Sequence, residues 1–225
     1  MPLMKSLRQP VIDYILRDIA PGKSPGQKPM DWFLDRFAFV DNATLQKHLA
    51  EAFYQARLNE KTREALGLRK DFNNVFVKTQ IVLYASIYEA LIDYALEKNK
   101  TEPVVASLLK QEFFSPLPVL SGAAELTYKE ADATHKIVTC KKKVRTQQLK
   151  EIQFKDRLTA AVALGFVRAA NQAELDALYT SRNKIHILAA AADDFRPDGL
   201  QSSKAFHNLF AFLARAKTFF QPQNP

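Results

Sequence analysis

Cysteine is nearly missing: Cys140 is the only one in 225 residues. An intramolecular disulfide is therefore excluded, as is any zinc site built from several thiolates. Glycine is scarce as well, and the six present are too scattered to write a G-x-x-x-x-G-K-[ST] loop or a G-x-G-x-x-G turn. P-loop and dinucleotide-fold chemistry drop out with them. No uncharged run approaches the roughly 20 residues of a membrane-spanning helix. The longest, between Glu112 and Glu125, is broken by Pro116, Pro118 and Gly122. The first residues, Met1 to Ile19, interleave Lys5, Arg8, Asp13, Arg17 and Asp18 with apolar side chains and lack the unbroken core of a signal peptide. These absences make a reducing, cytoplasmic setting without a membrane partner the expectation. His48, His135 and His207 fall on separate predicted elements and show no metal-ligand spacing such as H-E-x-x-H, so neither metal nor cofactor is expected. No repeat at solenoid periods is visible.

What is present is ordinary globular material, 47% hydrophobic and 25% charged, at a length that suits one elaborated domain. Basic residues outnumber acidic ones 32 to 24, and the net charge of +8 favours anionic partners such as RNA, DNA or acidic lipid. Helical periodicity dominates. A short helix is predicted over Pro10–Ala20, then an exposed Pro/Gly/Lys connection to Pro29, and helix again from Asp31. Asp41 is a candidate cap for a helix to about Leu66, with Gly67 as its stop. Asp71 is a candidate cap for the longest periodic segment, to Lys98, with Phe72, Val75, Phe76, Leu83, Ala90, Leu91 and Tyr94 in one stripe. Thr101 and Pro103 open a helix predicted to reach Phe114. The residues from Glu125 to Lys143 then fall into two β-branched and aromatic runs around Ala131-Asp132-Ala133, the pattern of a hairpin. Helix returns from Gln148 to Gly165, from an Asn171 cap to about Ala192, and from Ser202 or Ser203 to Phe220.

The helix predicted over Ala173–Ala192 carries the most informative pattern. At 100° per residue, Leu175, Leu178, Tyr179, Arg182, Ile185, His186 and Ala189 share one arc, with Asn183 at its margin. Burying a guanidinium at the centre of an apolar face is expensive without a partner. Two readings follow: Arg182 pairs with a carboxylate of a neighbouring helix while His186 packs, or the two line a cleft where a cation grips phosphate and an imidazole moves protons. Glu89, with Asp93 as second choice, borders the stripe of the long helix and is the expected partner of Arg182.

The segments "IQFKDRLTAAVALGFV" and "ELDALYTSRNKIHIL" resemble the C-terminal half of HEPN-domain proteins, whose hallmark is Arg, a polar residue, then His. Here the match is Arg182-Asn183-Lys184-Ile185-His186, the compact R-N-x-x-H form. Upstream, "YASIYEALIDYAL" looks like the long HEPN helix that packs against the motif helix. The resemblance covers about Asp71 to Phe220. It implies an all-α, HEPN-like helical bundle in a domain of residues 71–225; the residue pattern adds a small inserted β-hairpin near residues 125–145, and the N-terminal helical extension, residues 1–70, lies outside the resemblance. The resemblance further implies a homodimer with facing motif helices and metal-independent endoribonuclease activity of the toxin or antiviral-defence type. An antitoxin or defence-complex partner belongs to that picture. His186 would then be the acid/base group for attack of a ribose 2′-hydroxyl on the adjacent phosphate, Arg182 would stabilise phosphoryl charge, and Asn183 would orient the pair. Some relatives carry a tyrosine two residues after the histidine, modified by a nucleotidyltransferase antitoxin; that position is Leu188 here. The alternative implied is a noncatalytic HEPN-like module that binds RNA, a nucleotide or a protein. Tyr179, one turn before Arg182, either lines the site or packs in the core.

Lys136, Lys141, Lys142, Lys143, Arg145 and Lys150 form a basic segment with no acidic residue between Ala133 and Lys150. It suits contact with an RNA backbone, or equally a solvated hairpin edge whose lysines discourage strand pairing. Cys140 within it is given no catalytic role. Trp32, Phe33, Phe37 and Phe39 offer apolar surface by which the N-terminal helices either extend the bundle or form a sensor.

Overall fold

The computed structural model describes residues 2–24, 26–68, 70–116, 127–130, 133–136, 140–185, 196 and 198–221, most of them helical. The first helix, α1 (Pro2–Asp18), starts earlier than its sequence predicts, and Pro10 lies inside it. Pro10 forfeits one backbone hydrogen bond, and Val11, Ile15 and Ile19 at helical spacing carry the apolar face past it. Helix α2 (Pro29–Arg36) opens on a proline at its first position, where the missing N–H costs nothing, and buries Trp32 and Phe33. Helix α3 (Ala43–Ala65) is capped by Asn42, whose side chain accepts from the Leu45 N–H at 3.0 Å. Asp41, the expected cap, is engaged elsewhere: Tyr94 Oη donates to it at 2.9 Å and Lys98 binds its other oxygen. Hydrogen bonds from Lys98 and then Tyr94 hold the Asp41 carboxyl below the usual carboxylate range. Gly67, at φ +56°, ends this segment as predicted.

Helix α4 (Lys70–Lys98) is the axis of the molecule, with Asp71 inside its first turn. The expected single stripe is too narrow. Val75 is 63% exposed, whereas Val77, Ile81, Tyr84, Ile87, Tyr88, Leu91, Ile92 and Ala95 are all buried. Burial wraps more than one side because α3 packs against α4 together with three later helices, α6 (Phe154–Ala163), α7 (Ala169–Lys184) and α8 (Gly199–Phe220). The segment Asn73–Lys98 has a mean hydropathy of 1.4, long and apolar enough to cross a membrane by length and composition, and half of that window is buried inside the bundle. The N-terminal helices dock on the same core: α1 and α2 pack on α3. Phe53 sits at the centre of an aromatic cluster drawn from α2, α3, α4 and α8, in contact with Trp32, Phe33, Tyr84 and Phe206. Arg57, buried on α3, donates to the Asp18 carbonyl at 3.0 Å and so ties down the end of α1.

The helix predicted to reach Phe114 stops early. Helix α5 (Pro103–Leu108) gives way to strand β1 (Lys110–Pro116), which pairs antiparallel with β4 (Cys140–Thr146), Lys110 opposite Thr146 and Pro116 opposite Cys140. Between them β2 (Thr127–Glu130) pairs with β3 (Ala133–Lys136), as the sequence predicts around residues 131 and 132, which lie outside the described residues. Within the insertion, which we call the arm, the described residues thus form two separate antiparallel strand pairs, β1 with β4 and β2 with β3. The root of the arm is closed by the Gln147 N–H on the Leu109 carbonyl at 2.8 Å and by Gln147 Nε2 on the Leu108 carbonyl at 3.0 Å.

From Gln148 the chain makes a 3₁₀ turn, Leu149–Glu151, before α6 begins at Phe154, so the helix predicted from Gln148 starts later. The α6–α7 connection follows from Gly165 at φ +81°: the Phe166 N–H reaches the Ala161 carbonyl and the Gly165 N–H reaches that of Val162. Arg168, not Asn171, is the N-cap of α7, and Asp198, not Ser202 or Ser203, caps α8 by accepting from the Leu200 N–H at 2.8 Å. Ser202 is instead buried, its hydroxyl on Gln80 Oε1 of α4 at 2.6 Å.

Candidate functional site

Two carboxylates one helical turn apart on α4, Glu89 and Asp93, face arginines from two other helices. Arg157 of α6 is almost fully buried, with 5% of its side chain exposed. Its Nη2 donates to Glu89 Oε1 at 2.7 Å, its Nη1 binds the Asp93 carboxylate, and its Nε donates to the Ile152 carbonyl at 3.2 Å. Arg182 of α7 donates from Nη1 to the other oxygen of Glu89, at 2.9 Å. Glu89 therefore bridges two guanidinium groups, one buried and one with 31% of its side chain exposed. The pairing of Glu89 with Arg182 is the one expected from the sequence; Arg157 is the member that the sequence reading passes over.

Aromatic rings complete the layer. Phe154 and Tyr179 stack at 4.0 Å between centroids and 15° between planes. The guanidinium of Arg157 lies 5.6 Å from the Phe154 centroid and that of Arg182 lies 5.3 Å from the Tyr179 centroid. Each guanidinium thus has its own ring neighbour, the two rings stack on each other, and Glu89 joins the two guanidinium groups. Tyr179 is half-buried against the core, so it packs and supports Arg182 at once.

The charges in this layer balance, two arginines against two carboxylates. Burial pushes the Asp93 carboxyl above its usual range, and Arg157 only partly offsets this. For Arg157, burial works against the charge, and the hydrogen bonds to Glu89 and Asp93 outweigh it, so its pKa is raised. Asp93 also borders an open cleft between α4 and the root of the arm, lined among others by Glu97, Lys100, Leu149 and Lys150. Among the described residues, Arg182, Asn183 and Tyr179 do not line that cleft.

Helix α7 ends at Lys184 with Ile185 as its C-cap, whereas the sequence predicts helix to Ala192. Glycine does not end it: the Ile185 N–H turns back to the Arg182 carbonyl at 3.2 Å, tightening the last turn. Asn183 is exposed beside Arg182. His186 and Leu188 lie outside the described residues, so the shared helical face expected for Arg182 and His186 is described only as far as Ile185. Lys141, Lys142, Lys143 and Arg145 are all exposed on β4, and Lys150 is exposed at the arm's root. Lys136 lies on β3, with its side chain outside the described residues. Among the described residues no group of three or more histidine, cysteine or acidic side chains is arranged to hold a metal ion.

No protein-family model matches the chain, and neither the curated proteins nor the solved structures give a significant match.

Proposed function

We propose that the protein is a metal-independent endoribonuclease of the HEPN type, acting as a toxin or in antiviral defence, with its site formed where two copies bring their Arg182, Asn183 and His186 together. The reading is carried by Arg182. Glu89 fixes one edge of its guanidinium while nearly a third of the side chain stays open, and Asn183 is exposed next to it. Such a pre-oriented, partly solvated cation is the group that phosphoryl oxygens need as charge builds on them. His186 takes the proton from a ribose 2′-hydroxyl as that oxygen attacks the adjacent phosphorus, and the imidazolium of the partner copy protonates the departing 5′-oxygen. The required 2′-hydroxyl makes the substrate RNA.

One observation favours a second reading, a noncatalytic RNA- or protein-binding module: Glu89 already neutralises Arg182. Incubating wild-type and His186→Ala protein with total RNA and tRNA in excess EDTA separates the two. Cleavage by the wild type alone, leaving 2′,3′-cyclic phosphate ends, is the expected outcome, with Arg182→Ala equally inactive yet folded. Equal cleavage by His186→Ala refutes the assigned role, and intact RNA in every tube favours the binding module.

A further inference from the structure

The arm has two unlike faces. In an antiparallel ladder directly opposite residues share a side, so the register puts Gln111 with Arg145, Phe113 with Lys143 and Ser115 with Lys141 on one face. Glu112 with Val144 and Phe114 with Lys142 fall on the other. On that second face Lys142 is neutralised by Glu112 at 2.6 Å. Among the described residues the first face carries Lys141, Lys143 and Arg145 with no carboxylate; Arg145 donates to the neutral Gln111, at 2.7 Å, and neither Lys141 nor Lys143 makes an ion pair.

We infer that this first face binds single-stranded RNA, its cations tracking the phosphates and Phe113 stacking on a base. The inference deepens the ribonucleolytic reading above and rests on it for the choice of RNA. Cations at every second residue of a strand recur about every 6.6 Å, a linear row that complements a chain of phosphates rather than a compact anion. Phe113, in the middle of that row, is 37% exposed and offers a ring face to an unpaired base. A duplex fits poorly: its bases are already stacked, and the A-form major groove is too narrow for a two-stranded ribbon. A second copy of the same face is repelled by like charge.

The test is fluorescence anisotropy of the full-length protein with a labelled ~15-nucleotide 2′-O-methyl RNA, which binds without a free 2′-hydroxyl to react. The log–log salt slope of the wild type should be about −2, for three phosphate contacts. Lys141→Ala with Lys143→Ala should weaken binding at least tenfold and flatten the slope by about 1.4. Lys110→Ala with Lys142→Ala removes the same charge elsewhere on the arm and should change affinity less than about threefold. Phe113→Leu should weaken binding by about tenfold and leave the slope unchanged. Equal losses from the two lysine pairs overturn the inference, as does binding to vesicles of phosphatidylserine and phosphatidylcholine with none to the oligonucleotide. The two readings fail separately: cleavage without any difference between faces sinks this one alone, and face-selective binding without cleavage sinks the ribonuclease alone.

Discussion

Glu89 accepts from both Arg157 and Arg182, and removing either arginine leaves a different remainder. Without Arg182, Glu89 keeps its bond to Arg157, and the lost pair is partly solvated; the expected cost of Arg182→Ala is about 1 kcal/mol. Without Arg157, Asp93 loses its arginine and Glu89 loses its buried partner, so Arg157→Ala should cost about 3–5 kcal/mol. Urea denaturation of the two variants checks this, and equal losses would show that Arg157 does not anchor the layer. Of these residues Arg182 is legible in the sequence because it interrupts an apolar stripe, and Glu89 because it borders another. Arg157 is hidden: in Phe154-Lys155-Asp156-Arg157 it reads as one more solvated charge, and only the approach of α4 reveals that it lies on the buried side.

At the scale of elements, local chemistry decides what can be read in advance. Gly67 and Gly165 mark helix ends because each adopts a positive φ that other residues resist. Gly165→Ala meets no atom within 4 Å, so its expected cost of about 1 kcal/mol comes from the backbone alone. A measured loss near zero in thermal or urea unfolding would mean that the α6–α7 turn relaxes into another form. Strand β1 defeats the same approach, because Glu112-Phe113-Phe114 suits a helix end as well as a strand. Its partner, Lys142 to Val144, lies some thirty residues further on. The caps fail for a related reason: Asp41 and Ser202 each have a competing tertiary partner, and their neighbours Asn42 and Asp198 cap instead.

For the whole molecule, the boundary predicted at residue 70 separates two helices that share one core. Phe53 on α3 touches rings from both sides of that boundary, and Trp32, the only tryptophan, belongs to the same cluster. Phe53→Ala should cost about 3–5 kcal/mol, a large part of a typical domain stability. Trp32 fluorescence and far-UV circular dichroism should shift together along one urea transition. Separate transitions would show that residues 1–70 unfold on their own. The shared core also changes the meaning of the closed root of the arm, where Gln147 returns to Leu108 and Leu109. The segment between them is a side branch, so a protease that nicks its exposed lysines divides the polypeptide without dividing the protein. The two fragments stay married through the aromatic cluster, so the branch can change without unseating the trunk, and what holds its sequence is the row of cations with Phe113 on its first face.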